Sequence, residues 1–196
     1  MTPSVTKEDE LTKKHIVKTL GTSNHTFEKF HSLLEKSGAD VIVDVRASPF
    51  SRHRHFCQAE FKAKLNHAGF SYLHVPSLGG LGVEDHRRFA EAVMHPAAQA
   101  GLELIAHIAT RGVPILVCSE WDCTTCHRFL MISPQLVEIG LQVSHVQPDG
   151  RIETHAETEA RLVRKLRLRE QELWEPWEKI VARAFEIQER KIRRLK

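Results

Sequence analysis

Hydrophobic and polar positions follow two alternating periods along the chain, which predicts strands and helices in turn. Short, nearly continuous apolar runs predict buried strands at His15–Leu20, Ala39–Val45, Phe70–Val75, Ile115–Cys118 and Leu141–Val146. Between these runs apolar residues recur every three or four positions, the period of an amphipathic helix. The segments with this helical period are Phe27–Gly38, Gln58–Gly69, Asp85–Arg111 with a break at Pro96, and Thr124–Gly140 with a disturbance at Pro134.

Strict alternation of strand and helix favours the α/β class. We expect a three-layer sandwich with a mainly parallel five-stranded sheet. Residues 1–14 are polar and predict a disordered arm, residues 15–155 form the α/β domain, and residues 156–196 form a helical C-terminal extension divided at Pro176. The apolar stripe of the extension predicts packing on the domain or on a partner, including a second copy of the chain.

The loops that follow the strands mark the place for a ligand. In open α/β sheets, ligands bind outside the carboxyl ends of the strands. Four predicted loops leave these ends, at Thr22–Asn24, Asp44–Ser48, Leu78–Gly82 and Cys118–Arg128. We therefore expect these loops to converge on one site.

Composition and charge narrow the functional classes. The chain has no apolar run long enough to span a bilayer and no secretory signal, so we expect a cytoplasmic protein with reduced thiols and no membrane partner. Residues 156–196 hold 12 Lys/Arg and 8 Asp/Glu, a net charge of +4, whereas the rest holds 16 and 17, a net charge of −1. A general nucleic-acid-binding domain is therefore disfavoured, although the tail could bind nucleic acid.

Three of the four cysteines lie in the loop after the fourth strand, where two kinds of chemistry are open. Cys118 at a strand end, or Cys126 at a helix start, could form a reactive thiolate, with Asp44, Glu120 or His127 transferring protons. The Cys123-x2-Cys126 pair is half of a zinc pattern and leaves a metal site open. The chain has no Walker A, GxGxxG or HExxH motif, so we expect no ATP hydrolysis, no Rossmann-type dinucleotide site and no zincin activity, and the cofactor is otherwise unknown.

Arginines near the strand ends point to an anionic substrate. Arg46, Arg52 and Arg128 could bind a phosphate or a carboxylate, and the backbone at Gly79-Gly80 could approach such a ligand closely. The RHRHF stretch, which mixes cations with an aromatic ring, also suits contact with a nucleic acid.

Several motifs together resemble the DUF488 family over about residues 16–160. They are Gly21-Thr22-Ser23-Asn24, Val43-Asp44-Val45-Arg46 with Pro49 and Ser51, Leu78-Gly79-Gly80, Cys118-Ser119-Glu120, Cys126-His127-Arg128, and His145 with Asp149-Gly150 and His155. This resemblance implies an α/β fold, a site formed by the motif residues and no established activity. It adds Ser23, Asn24 and Ser51 to the candidate substrate-binding residues.

The cysteine loop is also distantly similar to the plan of rhodaneses and cysteine phosphatases. Cys123 and Arg128 have the Cys-x4-Arg spacing of a rhodanese loop, but Asp122, Thr124 and Thr125 stand where a glycine-rich anion cradle is expected. The resulting hypothesis is a thiol-dependent transferase or hydrolase that acts on a small anionic substrate or a nucleic-acid component. The alternative is a non-catalytic Cys/His metal-binding or nucleic-acid-associated interaction protein.

Overall fold

The computed structural model describes residues 15–80, 88–168 and 175–194. The predicted disordered arm therefore lies outside the described residues, as do Gly82 and the first residues of the predicted helix at Asp85. The strands are β1 Ile16–Gly21, β2 Val41–Asp44, β3 Ser71–His74, β4 Pro114–Cys118, β5 Gln142–Val146 and β6 Ile152–Thr154. The helices are α1 Phe27–Ser37, α2 Gln58–His67, α3 Phe89–Val93, α4 Pro96–Ala109, α5 Ser133–Glu138, α6 His155–Lys165 and α7 Trp177–Arg194.

The sheet confirms the predicted fold class and adds one strand. Its order is β3-β2-β4-β1-β5-β6, and all neighbours pair in parallel except β6, which runs antiparallel to β5. The sequence analysis missed β6 because this strand has only three residues, none of which is fully buried. Short edge strands of this kind carry no alternating pattern that a sequence window could detect.

Alternate residues of the central strands face two separate cores, which makes the molecule three-layered. Leu20, Ile42 and Ile115 pack with α1 and α2, whereas Val17, Val43 and Leu116 pack with the helices on the other face. Both faces are covered, and this explains why β2 and β4 are apolar at nearly every position.

The C-terminal extension packs on the domain. The side chains of Ile180 and Ala184 in α7 are buried, and the ring of Phe185 lies 5.0 Å from that of Phe129. Glu189 of α7 also accepts a 2.7 Å hydrogen bond from the backbone N–H of Phe89, at the start of α3. None of the described helices is long and apolar enough to cross a membrane.

The predicted helix at Thr124–Gly140 is broken into three pieces. A short 3-10 turn at Cys123–Thr125 comes first, then a π-helical turn at Arg128–Ile132, and then α5. The backbone N–H and the hydroxyl of Ser133 both bond to the carbonyl of Arg128, with the hydroxyl at 2.6 Å. Pro134 has no N–H to donate to the preceding turn, which accounts for the wider turn before it. Such π-helical turns occur frequently at functional sites.

Candidate thiol and metal site

A polar cavity of about 190 Å³ lies at the carboxyl ends of β2 and β4, where the sequence analysis expected a site. Residues of the loops after these strands, of the loop after β3, and of α3 and α7 line it. They are Arg46, Ala47, Ser48, Gly80, Phe89, Cys118, Ser119, Glu120, Thr125, Cys126, His127 and Ile192. The cavity therefore combines four predicted catalytic residues, Cys118, Glu120, Cys126 and His127, with two predicted substrate-binding residues, Arg46 and Gly80.

Cys118, Cys126 and His127 form the chemical centre of this cavity. His127 Nδ1 lies 3.7 Å from the Sγ atoms of both cysteines, and all three side chains are nearly buried. The other ring nitrogen of His127, Nε2, lies 3.1 Å from the carbonyl oxygen of Val45. Because a carbonyl can only accept, Nε2 donates this hydrogen bond, and Nδ1 faces the two sulfurs.

The two cysteines of the centre have opposite acidities. The pKa of Cys118 is well below that of an ordinary thiol, because it accepts a hydrogen bond from Cys126 and lies beside His127 and Arg128, although burial opposes the shift. Burial raises the pKa of Cys126 well above the ordinary value, and the thiolate of Cys118 raises it further. Of the two thiols, Cys118 is therefore the one that ionises more readily.

Arg128 stabilises the cysteine loop from within. Its side chain is 1% exposed, and its guanidinium donates hydrogen bonds to the carbonyls of Glu120 at 2.9 Å and of Trp121 at 3.4 Å. Arg128 does not line the cavity, so it has no direct contact with a ligand there. Its positive charge instead favours the ionised form of the neighbouring thiols. Gly21 makes this arrangement possible, because a Cβ atom at that position would lie 2.0 Å from the Glu120 carbonyl oxygen.

Asp44 and Arg46 form a saturated buried ion pair. Arg46 donates to Asp44 Oδ1 from Nε at 2.8 Å and to Oδ2 from a terminal nitrogen at 2.5 Å, and its other terminal nitrogen donates to the Phe56 carbonyl at 2.8 Å. Asp44 also accepts from the Arg46 backbone N–H and from the hydroxyl of Tyr72. Burial and the neighbouring Asp44 raise the pKa of Tyr72, which keeps that hydroxyl protonated as a donor.

The two glycines after β3 pack closely against the site. A Cβ atom on Gly79 would lie 2.5 Å from the backbone of Ala47, and one on Gly80 would lie 2.9 Å from Nδ1 of His127. Both positions therefore require glycine for contact within the protein. This close packing accounts for the two consecutive glycines without a ligand, although Gly80 also lines the cavity.

The remaining predicted substrate-binding residues lie in an adjoining cavity of about 360 Å³. This cavity contains Ser23, Asn24, Ser51 and Arg52, and it shares Ser119 and Glu120 with the first. The loops after β1 and β4 are joined by hydrogen bonds from Thr22 N–H to the Cys118 carbonyl at 2.7 Å and from Ser23 N–H to the Ser119 carbonyl at 2.8 Å. The predicted residues thus form two adjoining groups.

Cys123 stands apart from the other cysteines of the loop. Its Sγ atom faces Arg161 at 3.6 Å and Gln147 at 3.9 Å, and it is absent from the group of Cys118, Cys126 and His127, whose ligand atoms all lie within 4.8 Å of one another. The structure thus joins Cys126 to Cys118 and His127 rather than to Cys123. Asp122, the residue before Cys123, forms ion pairs with Arg161 and Lys165 of α6, which hold the loop in place. Although burial opposes the shift, hydrogen bonds from Thr124 and these two cations lower the pKa of the Asp122 carboxyl group to about 2.

Some lining residues were missed by the sequence analysis. Phe89 and Ile192 reach the cavity from α3 and α7, and no local pattern marks them, because their position depends on how the extension docks. Ala47 and Ser48 lie in the loop Asp44–Ser48, which was predicted to reach the site, although neither was named as a site residue. Outside this region, a cavity of about 620 Å³ between α1 and α2 contains none of the predicted site residues.

Comparison with protein families confirms the resemblance to the DUF488 family. The family model "Domain of unknown function DUF488" matches residues 26–133, more than half of the chain. No curated protein matches the chain. A solved structure described as a "putative phosphatase (DUF442)" from Shewanella putrefaciens CN-32 is similar at 14% sequence identity, with 85% of this chain and 83% of that chain covered and a TM-score of 0.39. The chain belongs to the DUF488 family.

Proposed function

We propose that the protein is an enzyme whose reactive group is the thiolate of Cys118. The observation that carries this proposal is the arrangement of Cys118, Cys126 and His127 around one cavity. A nucleophile beside a base, with the base oriented by a third group, is the common arrangement of nucleophilic catalysis. Here Cys118 is the nucleophile, His127 is the base at 3.7 Å, and the carbonyl of Val45 orients the imidazole ring.

The chemistry of such a site follows from the positions of the protons. The Cys118 sulfur attacks an electrophilic atom of the substrate with its electron pair, and the leaving group departs with the electron pair of the broken bond. The proton that Cys118 gave to Nδ1 of His127 passes to the leaving group. A water molecule or a second substrate then attacks the intermediate and returns a proton to His127. The Cys118 thiolate leaves with the electron pair of the broken bond, so that the reaction is a hydrolysis or a group transfer.

The substrate that we propose is anionic. Arg46 lies in the cavity wall, and Arg52 lies in the adjoining cavity. Arg46 already holds Asp44, so we assign the main anion contact to Arg52, whose side chain is exposed. Glu120 lines both cavities, where a carboxylate could accept a proton from an incoming water molecule.

A metal centre is the second candidate, and one distance favours it. In a tetrahedral zinc site, metal–ligand lengths of about 2.3 Å for sulfur and about 2.0 Å for nitrogen place the ligand atoms about 3.5 Å apart. His127 Nδ1 lies 3.7 Å from each sulfur. The bond from Nε2 to the Val45 carbonyl is also the usual outer contact of a metal-binding histidine. Cys118, Cys126 and His127 would hold the ion, which would act as a Lewis acid.

Thiol labelling separates the two candidates. The full chain is treated with iodoacetamide at neutral pH, with and without prior removal of metal by a chelator, and the labelled cysteine is located by mass spectrometry. The thiol enzyme predicts rapid labelling of Cys118 in both samples, abolished in Cys118→Ser and retained in the matched control Cys123→Ser. Labelling that begins only after chelation, together with one zinc ion per chain, would contradict the thiol enzyme and support the metal centre.

A further inference from the structure

The cavity next to the thiol centre has a lining of its own. It is about 360 Å³ in volume and is formed by the loops after β1, β2 and β4. The thiol cavity, at about 190 Å³, is smaller than the roughly 300–1,000 Å³ usual for small-molecule sites. Because Ser119 and Glu120 line both cavities, the adjoining one offers room for the larger part of a substrate that reaches Cys118.

Two exposed aromatic side chains line this second cavity. The side chain of Phe50 is 80% exposed and that of Trp121 is 53% exposed. Large rings that remain in water beside a polar cavity offer flat faces for stacking, and a nucleic-acid base stacked on such a ring gains roughly 1–3 kcal/mol.

Contacts around Trp121 fix its position before any ligand arrives. The imidazole ring of His25 stacks on the indole with ring centres 5.2 Å apart and an interplanar angle of 28°. The backbone carbonyl of Trp121 accepts a hydrogen bond from the buried Arg128. A ring that is already held in place loses little conformational entropy when a ligand stacks on it.

Polar groups in the same lining suit the edge of a base and a phosphate. Asn24 contributes an amide, and Ser23 and Ser51 contribute hydroxyls, all of which can donate and accept hydrogen bonds. The guanidinium of Arg52 has the fork of donors that binds phosphate oxygens in pairs. A planar heterocycle with polar edges joined to a phosphate matches this combination of groups.

We propose that the cavity lined by Phe50, Trp121, Asn24 and Arg52 is a nucleotide subsite, with the base on the aromatic rings and the phosphate at Arg52. The nucleotide is either free or one unit of a single strand, since both present the same base and phosphate. Its role as the substrate rests on the function proposed above, because the subsite shares Ser119 and Glu120 with the cavity of Cys118. Its binding does not depend on that function.

Calorimetric titration of the full chain tests the subsite. The probes are the nucleoside 5′-monophosphates, inorganic phosphate and a short single-stranded oligonucleotide. We expect the monophosphates to bind more tightly than phosphate. Trp121→Ala should weaken this binding about ten- to a hundredfold, because stacking is lost, and Trp121→Phe should restore most of it. Tighter binding of the oligonucleotide would identify a strand as the source of the nucleotide.

Matched variants isolate the contribution of each group. Arg52→Ala should weaken the binding of monophosphates. Arg111→Ala should not, since this exposed arginine precedes β4 at the opposite end of the sheet. Ile152→Ala removes an exposed apolar side chain outside the cavity and should also leave binding unchanged. Equal binding of phosphate and monophosphates, or binding that is the same in wild type and Trp121→Ala, would overturn the subsite.

The variant Cys118→Ser separates this proposal from the proposed function. It removes the thiolate and keeps the lining of the second cavity, so we expect nucleotide binding to be retained. Nucleotide binding that depends on Trp121 in a chain whose Cys118 is unreactive would support the subsite and contradict the thiol enzyme. A reactive Cys118 in a chain that binds no nucleotide would do the opposite.

Discussion

Two neighbouring strands, β2 and β4, end in chemically active residues at the same edge of the sheet, yet the two ends differ in kind. After β2, two side-chain hydrogen bonds join Arg46 to Asp44. Arg46 also donates to the Phe56 carbonyl, and Asp44 also accepts from the Tyr72 hydroxyl. After β4, Cys118 and Cys126 lie beside His127 with pKa values shifted in opposite directions, and all three side chains line a cavity. A full set of partners favours a structural role for the first end, whereas we propose that the second end is reactive because its side chains face a cavity.

This difference shows that ionisable residues at the end of a strand can serve either the stability of the fold or the chemistry of a site. Both strands end in ionisable side chains. The rule that ligands bind outside the carboxyl ends of the strands therefore selects both places equally. Only the partners of each group distinguish a charge that holds the fold from a charge that is available to a substrate. Asp44 therefore stays a catalytic residue only as a prediction, and the contacts that surround it favour a structural role.

The largest effect is expected from breaking the ion pair after β2. Asp44→Asn removes the negative charge and leaves the buried Arg46 uncompensated, which should lower the free energy of unfolding by about 3–5 kcal/mol. Urea denaturation measures this loss. Asp149→Asn is a matched control, because Asp149 bonds to Arg151 at the same sequence spacing but on the surface, and it should have no measurable effect. Equal losses in the two variants would contradict a structural role for the buried pair.

A smaller loss of stability but a clear change at the thiols is expected from Gly21→Ala. The new Cβ atom would lie 2.0 Å from the Glu120 carbonyl oxygen, so the loop after β4 has to move. Overpacking of this kind costs about 1–3 kcal/mol. Because Arg128 holds the same carbonyl, we also expect the alkylation of Cys118 to slow markedly at neutral pH. Unchanged alkylation in a destabilised protein would show that this loop does not set the reactivity of Cys118.

The smallest effect concerns a histidine that faces no described cavity. His145 is fully buried between Thr19 at 2.8 Å and His155 at 3.1 Å, and its pKa lies well below the ordinary value because burial, together with His155, disfavours the charged form. The unfolded chain therefore binds more protons than the folded chain below about pH 6.5. Stability should be complete above that pH and decline as the pH falls below it.

Urea denaturation at a series of pH values checks this expectation. The decline should flatten in His145→Gln, which cannot take up the proton, whereas His67→Gln at an exposed position should keep the wild-type profile. The slope of the free energy of unfolding against pH is compared, rather than its value at one pH, because the substitution at position 145 also changes packing. A wild-type slope in His145→Gln would contradict the assignment.

Much of this fold followed from residue patterns alone. The five parallel strands and the position of the site at their carboxyl ends depend on apolar runs and on a general rule of α/β sheets, both of which are local or universal. The edge strand β6 and the π-helical turn at Arg128–Ile132 did not follow. The former is too short to show a pattern, and the latter arises from hydrogen bonds of Ser133 and from Pro134.

Within the site, the residue types were easier to predict than their roles. The sequence selected Arg46 and Arg128 as anion ligands because both are cations near strand ends. The structure shows that Arg46 holds Asp44 and that Arg128 holds two loop carbonyls. The spacing of Cys123 and Cys126 suggested that these two act together, but the fold turns Cys123 toward Arg161 and pairs Cys126 with Cys118. Such partners depend on tertiary packing, which one-dimensional spacing does not encode.

The ultraviolet absorbance of thiolate, measured against pH after removal of metal, reports directly whether Cys118 is a reactive thiolate. We expect the folded wild-type chain to hold one thiolate at neutral pH, Cys118→Ser to lose it, and Cys123→Ser to keep it. The unfolded chain, whose thiols are ordinary, should hold almost none at the same pH. If thiolate forms in the folded wild-type chain only at the alkaline pH of the unfolded chain, Cys118 is not the reactive group.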